Sequence, residues 1–340
     1  MKKSILSILG LAMIVASCGE SSSEDPIIPG VVDGLQGTIS EDVILDGEYA
    51  LTGAYIVPAG KTLTIKAGTK IVAEAGGTEV YIGVNKGAII NIEGTATNPV
   101  IISSINGEQS DWGGLVICGK GITSAGVDVT FEVGGFQYGG TEADDSSGSI
   151  RYLVISGSGA QINADAQYNG ISFCAVGSGT TVEYVAVING GDDGVEFYGG
   201  SVEASNLYLK NNLDDSIDWT EAWDGSVSNA YISHSVQGFS TVFEGDKDNA
   251  NPSFTNITAI SSTGGTALQF KIESGATISN LFLEGYDLEI DFKDDGAHSN
   301  VQIDGSDAVL VDDSASQGKL VYTKGTKLDI SGWGWIDAVL

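Results

Sequence analysis

Basic side chains are scarce in this 340-residue chain: 15 Lys and Arg stand against 45 Asp and Glu, for a formal charge of −30. So acidic a surface repels polyanions, which excludes nucleic acid and anionic lipid headgroups as partners and favours cations and solubility. Histidine is limited to His234 and His298. Neither falls beside a nucleophile in the repeat described below, so a serine or cysteine triad has no support. Three cysteines are too few for a disulfide framework. Cys118 and Cys174 sit in apolar contexts; a pair across distant coils exceeds disulfide reach, and two buried thiols are expected. No stretch carries a helical period, and past the N-terminus no apolar run reaches the ~20 residues that span a bilayer.

What is present begins with Lys2 and Lys3, an apolar run from Ile5 to Val15, and then Val15-Ala16-Ser17-Cys18. A basic start, a short apolar stretch and small residues read as a secretory signal over residues 1–17. The small residues before cysteine resemble the bacterial lipobox, which implies that Cys18 is acylated and anchors the mature chain in outer-membrane lipid. Residues 18–35 have little to bury and are expected to form a flexible acidic tether. Such a tether resembles the sorting signal of Bacteroidota-type lipoproteins, implying an outer-membrane protein that faces the cell exterior.

Glycine is abundant, at 48 residues against five prolines, and β-branched residues are dense, as in an all-β chain. Six segments align with one another: Tyr168–Phe173, Asp192–Phe197, Asp214–Trp219, Val236–Thr241, Gly265–Phe270 and Asp287–Phe292, recurring every 22 to 29 residues. A second strand follows each, several of them carrying Ser-Asn, as in Ala204-Ser205-Asn206-Leu207 and Ile278-Ser279-Asn280-Leu281. Short strands and glycine turns at a fixed period are one coil of a solenoid. The expected fold is all-β, a right-handed single-stranded parallel β-helix of about 22–27 residues per coil over residues 36–310. Residues 311–340, with Trp333 and Trp335, depart from the repeat and are expected to cap the last coil.

Strand alternation assigns the faces. Ile171, Val195, Ile217, Phe239, Leu268 and Ile290 face inward, as do Phe173, Phe197, Trp219, Thr241, Phe270 and Phe292 two residues on. Trp219 is therefore read as core. Between these columns Ser172, Glu196, Asp218, Ser240, Gln269 and Asp291 point outward on one flat face, followed by Tyr198, Thr220, Val242, Lys271 and Lys293. The polar segment Glu244–Pro252 is expected to loop over a face.

Thr62-Leu-Thr-Ile, Asn98-Pro-Val-Ile, Trp112-Gly-Gly-Leu, Tyr138-Gly-Gly-Thr and Asp192-Asp-Gly-Val-Glu-Phe-Tyr-Gly-Gly resemble a group of bacterial β-helix surface lipoproteins, over roughly residues 50–245. The Asp-Asp pairs and coil architecture resemble, more weakly, the pectate lyase and polygalacturonase superfamily. The first resemblance implies fold and location but no agreed activity.

Asp192-Asp193 and Asp214-Asp215 lie one 22-residue coil apart, as do Glu196 and Asp218. Six carboxylates stacked at about 5 Å repel one another. Shared protons or a hard cation such as Ca²⁺ relieve the repulsion, and hydrogen bonds to turn amides with exposure to water are the plain alternative. Lys271 and Lys293 are the candidate bases for a calcium-dependent polysaccharide lyase. With so few cations for an acidic polysaccharide, the leading expectation is a non-enzymatic surface module that presents its face to a glycan, a cation or an outer-membrane protein partner; a purely structural spacer or adhesin is the third reading.

Overall fold

The computed structural model describes residues 34–163, 166–311 and 318–339; the expected secretory signal, Cys18 and nearly all of the expected tether lie outside the described residues. Strands are short, and those of successive coils pair in parallel and in register, forming the expected parallel β-helix. One face is built from Leu115–Cys118, Ile171–Cys174, Val195–Tyr198, Ile217–Thr220, Phe243–Gly245, Thr266–Lys271 and Leu288–Lys293, and is called the floor sheet below. From Gly148 onward the rest of each coil is one longer strand, such as Thr181–Ile188 or Glu203–Lys210, where the preceding coil has two shorter ones, Ile89–Glu93 and Val100–Ser104.

Each long strand bends at one residue in the left-handed region: Tyr152, Tyr184, Asn206, Asn229, Asn256 and Asn280, all with φ between 51° and 59°. Asn tolerates this conformation better than most residues. Its amide also repays the strain by bonding up the stack: Asn229 donates to Asn206 at 3.2 Å, Asn256 to Asn229 at 2.9 Å and Asn280 to Asn256 at 2.9 Å. At the two N-terminal positions stacked rings serve instead, Tyr152 on Tyr184 at 4.3 Å.

The inward columns hold with one correction. The expected strand at Val236–Thr241 is a loop; the floor strand is Phe243–Gly245, with Phe243 paired to Ile217 and Leu268. Phe239 leaves the column to stack on His234 at 3.7 Å. Gly245 takes the place in the aromatic column because a Cβ there would come within 2.6 Å of Cζ2 of Trp219. Trp219 is core, as expected, 2% exposed. Trp223, from outside the column, stacks on Phe197 at 4.1 Å.

The cysteines are not on distant coils: Cys118 and Cys174 are register partners in adjacent strands, both buried and unbridged.

Past the last coil, Val301–Ile303 turns into an antiparallel pairing with Ser306–Asp307, and the amide of Leu320 bonds Glu289 at 2.8 Å. This closes the C-terminal end. The remaining chain does something the repeat did not announce: it runs back along the flank as a strap. Gly325 bonds the Leu281 carbonyl at 2.7 Å, Leu328 bonds Thr258 Oγ1 at 2.8 Å, and Trp335 packs edge-on against Tyr152 and Tyr184. Its cause is the outward column of the bent strands, Val154, Ala186 and Tyr208 among them, which is apolar and needs cover.

Candidate functional site

The outward column of the floor sheet runs Ile56, Gly83, Val116, Ser172, Glu196, Asp218, Glu244, Gln269, Asp291, each in register with the next. Glu244, not Ser240, holds the place between Asp218 and Gln269, so the acidic run has three consecutive members. Chemistry changes along this column, and the covering changes with it. Over its apolar part lies a hairpin, Val129–Thr130 against Gln137–Tyr138, whose Phe131, Val133, Phe136 and Tyr138 bury Val116, Cys118, Cys174 and the ring of Tyr198. Gly83 admits it, since a Cβ at that position would fall 2.3 Å from Cζ of Phe136.

The expected flat face is therefore a cleft of about 390 Å³, with Asp192, Asp193, Glu196, Asp214 and Asp218 on its floor and the hairpin as roof and wall. Asp246 and Lys247 line the far side, from the loop that the sequence placed over a face. The roof is latched by Glu221, whose carboxylate accepts Tyr138 OH at 2.9 and 3.0 Å and Thr123 Oγ1 at 2.7 Å. Glu221 and Ala222 both sit at positive φ, 55° and 59°, a local strain of about 1–3 kcal/mol each that the latch overrides.

The structure brings all six predicted carboxylates together. Oxygens of Asp192, Asp193 and Asp214 lie within 4.8 Å of one another, and so do those of Asp193, Glu196 and Asp218, and those of Asp215, Asp218 and Glu244. Asp193 and Asp218 are shared, which makes one continuous ladder. Most of it is out of water: Asp192, Asp193, Glu196, Asp215 and Glu244 are buried. Burial, then repulsion from Asp214, pushes Asp192 up to about 8. Burial likewise takes Glu196 to about 8 against the bonds from Tyr198 and Asn169. Asp193, Asp215 and Asp218 are also raised, by burial and then by neighbouring carboxylates.

Part of the ladder is satisfied from within the chain. Asn169 Nδ2 and Tyr198 OH donate to Glu196, the amide of Asp215 donates to Asp193 Oδ1 at 2.8 Å, and Thr241 Oγ1 donates to Asp215. Other oxygens have no hydrogen-bond partner among the described residues although they are buried: Asp218 Oδ1, Asp246 Oδ1, Asn169 Oδ1 and Thr220 Oγ1. Thr220 lines the cleft and is 7% exposed. Buried oxygens left without donors are costly, and a cation that accepts them as ligands removes the cost.

The two lysines part company. Lys271 reaches the ladder, its ammonium bonded to Glu244 Oε2, while Gln269 Nε2 takes Glu244 Oε1. Burial lowers its pKa, but Glu244, Asp218 and Asp246 more than offset this and hold it above the ordinary value. Lys293 is half exposed, next to Asp291 at 3.9 Å, and does not line the cleft.

His234 does stand beside a hydroxyl, contrary to the sequence reading: Ser216 Oγ is 3.2 Å from Nε2, and Tyr286 OH 3.0 Å from Nδ1. All three are buried inside the coil corner, with no room for a substrate, and burial lowers His234 to about 4. Repeat-based reading missed Glu132, Tyr138 and Lys247, because the insertion and loop that carry them have no period, and Glu221, which follows the repeating strand Ile217–Thr220 but has its partners Thr123 and Tyr138 in the non-repeating stretch. The one available signal was the length of the non-repeating stretch between Cys118 and Arg151.

A parallel β-helix with an acidic, roofed cleft on one sheet defines the class of protein. The chain matches the family described as pectate-lyase like beta helix domain over residues 37–329, and it belongs to that family. No curated protein matches it.

Proposed function

We propose that this protein is a non-enzymatic, surface-displayed binding module whose cleft holds a divalent cation, calcium by its hard oxygen donors, and through it a glycan. The reading rests on one observation: interlocked carboxylates lie under a roof, and Thr220, whose buried Oγ1 has no hydrogen-bond partner among the described residues, lines the same cleft. Ca²⁺ takes six to eight oxygens at about 2.3–2.6 Å, and Asp192, Asp193, Asp214, Glu196, Asp218 and Thr220 offer a set of that kind. Kinship with a pectate-lyase like family supports a glycan as the larger ligand. The N-terminal sequence supports lipid anchoring at Cys18 in the outer membrane, facing outward, where such a ligand is met.

The competing reading, a calcium-dependent lyase, needs a free base beside the cation. Lys271 is engaged by Glu244, Lys293 stands outside the cleft, and Lys247 lines it only from an exposed loop, which favours binding without cleavage.

Calorimetric titration of the purified protein with calcium, beside a variant with Asp192, Asp193, Asp214 and Asp215 changed to Asn, tests the proposal. A stoichiometric heat present in the wild type and lost in the variant is expected. Absence of heat and of any calcium-induced rise in melting temperature would retire the cation site and leave a spacer or partner-binding scaffold.

A further inference from the structure

The three carboxylate groups of the ladder are not equivalent. In the group of Asp215, Asp218 and Glu244, both oxygens of Glu244 are taken, one by Lys271 Nζ and one by Gln269 Nε2, and Asp215 accepts Thr241 Oγ1. In the groups of Asp192, Asp193 and Asp214 and of Asp193, Glu196 and Asp218, no ammonium or guanidinium forms an ion pair among the described residues. Two of the buried oxygens without donors among the described residues border that open part: Asn169, 2% exposed, contacts Glu196, while Thr220 follows Asp218 on the same strand.

We infer that Lys271 is a built-in counter-ion, a tethered ammonium that fills the C-terminal end of the ladder and confines exogenous divalent cations to the end formed by Asp192, Asp193, Glu196, Asp214 and Asp218. This deepens the proposed function and rests on the same cleft. The stem of Lys271 starts one coil beyond Glu244 and reaches back to it, so its ammonium sits where an additional ion would need Glu244 as ligand. An ammonium and a divalent cation exclude each other there, because both need the same carboxylate oxygens and repel one another. Lys271 is thus a specificity residue: it sets how many ions the ladder takes.

The test is the stoichiometry of calcium binding, by equilibrium dialysis and calorimetry, in wild type, Lys271→Met and Lys271→Arg. Lys271→Met keeps the stem and removes the charge, and circular dichroism checks that it folds. It is expected to bind one more calcium ion per chain than wild type, while Lys271→Arg, which keeps a cation at the position, matches wild type. Equal stoichiometry in wild type and Lys271→Met overturns the inference, whether that shared number is zero or not. A wild type that binds none beside a Lys271→Met that binds one would sustain the counter-ion and overturn the cation-binding function, so the two failures are told apart.

Discussion

Asp192 and Glu196 hold their protons up to about pH 8 because burial and their neighbours disfavour the charged forms. The sign of the consequence is fixed by linkage. Their folded values lie above those of the unfolded chain, so the folded state keeps protons that the unfolded state has released. The stability they contribute is full below about pH 4 and is lost as pH rises to 8, at about 1.4 kcal/mol per pH unit for each such proton. His234 works the other way, its folded value of about 4 lying below the ordinary 6.5, so it costs stability as pH falls through that window. Above pH 6.5 only the carboxylates count. In chelator, the melting temperature should therefore fall between pH 6.5 and 8, and millimolar calcium should flatten the fall; a melting temperature that rises over this range contradicts the account of the ladder. At this scale the Asp pairs were legible because they repeat with the coil. Thr220 was read as outward, yet its missing donor, like the latch at Glu221, depends on a roof that no local pattern encodes.

Strand faces were legible element by element, since alternation is local. The step from Trp219 to Leu268 was not. Val236–Thr241 offers an apolar residue and a polar neighbour much as a strand would, while the true strand carries Gly245 where the column calls for an aromatic ring. The reason for the glycine, the indole of Trp219 above it, comes from a coil away. Gly245→Leu should accordingly lose about 1–3 kcal/mol or more in denaturant unfolding, through overpacking against Trp219. The C-terminal strap was likewise invisible to the repeat, because its partner is the outer side of strands far back in the chain, 70 residues for Leu328 on Thr258 and well over a hundred for Trp335 on Tyr152 and Tyr184. Trp335→Ala should cost about 3 kcal/mol, near the low end for a buried tryptophan, because its Nε1 has no hydrogen-bond partner among the described residues. Deleting the chain after Val321 should uncover Tyr208, Tyr231 and Val154, seen as dye binding and self-association, with calcium binding in the cleft unchanged.

Over the described coils the β-helix is quasi-one-dimensional: each coil touches its neighbours, and the outward chemistry changes along the stack. Apolar side chains at the start of the floor column hold the roof, the carboxylates beyond it form the cleft, and Lys271 closes the acidic run. A net charge of −30 adds a long-range field that draws cations toward that cleft and weakens with salt, so calcium affinity should decline as ionic strength rises from 0.05 to 0.5 M, on the order of the screening length. The central claim is the position of the ion. Crystals grown with calcium and measured for anomalous scattering test it most directly: the account predicts a peak under the roof among Asp192, Asp193, Asp214, Glu196 and Asp218, and an empty cleft with the carboxylates bonded to water alone would contradict it.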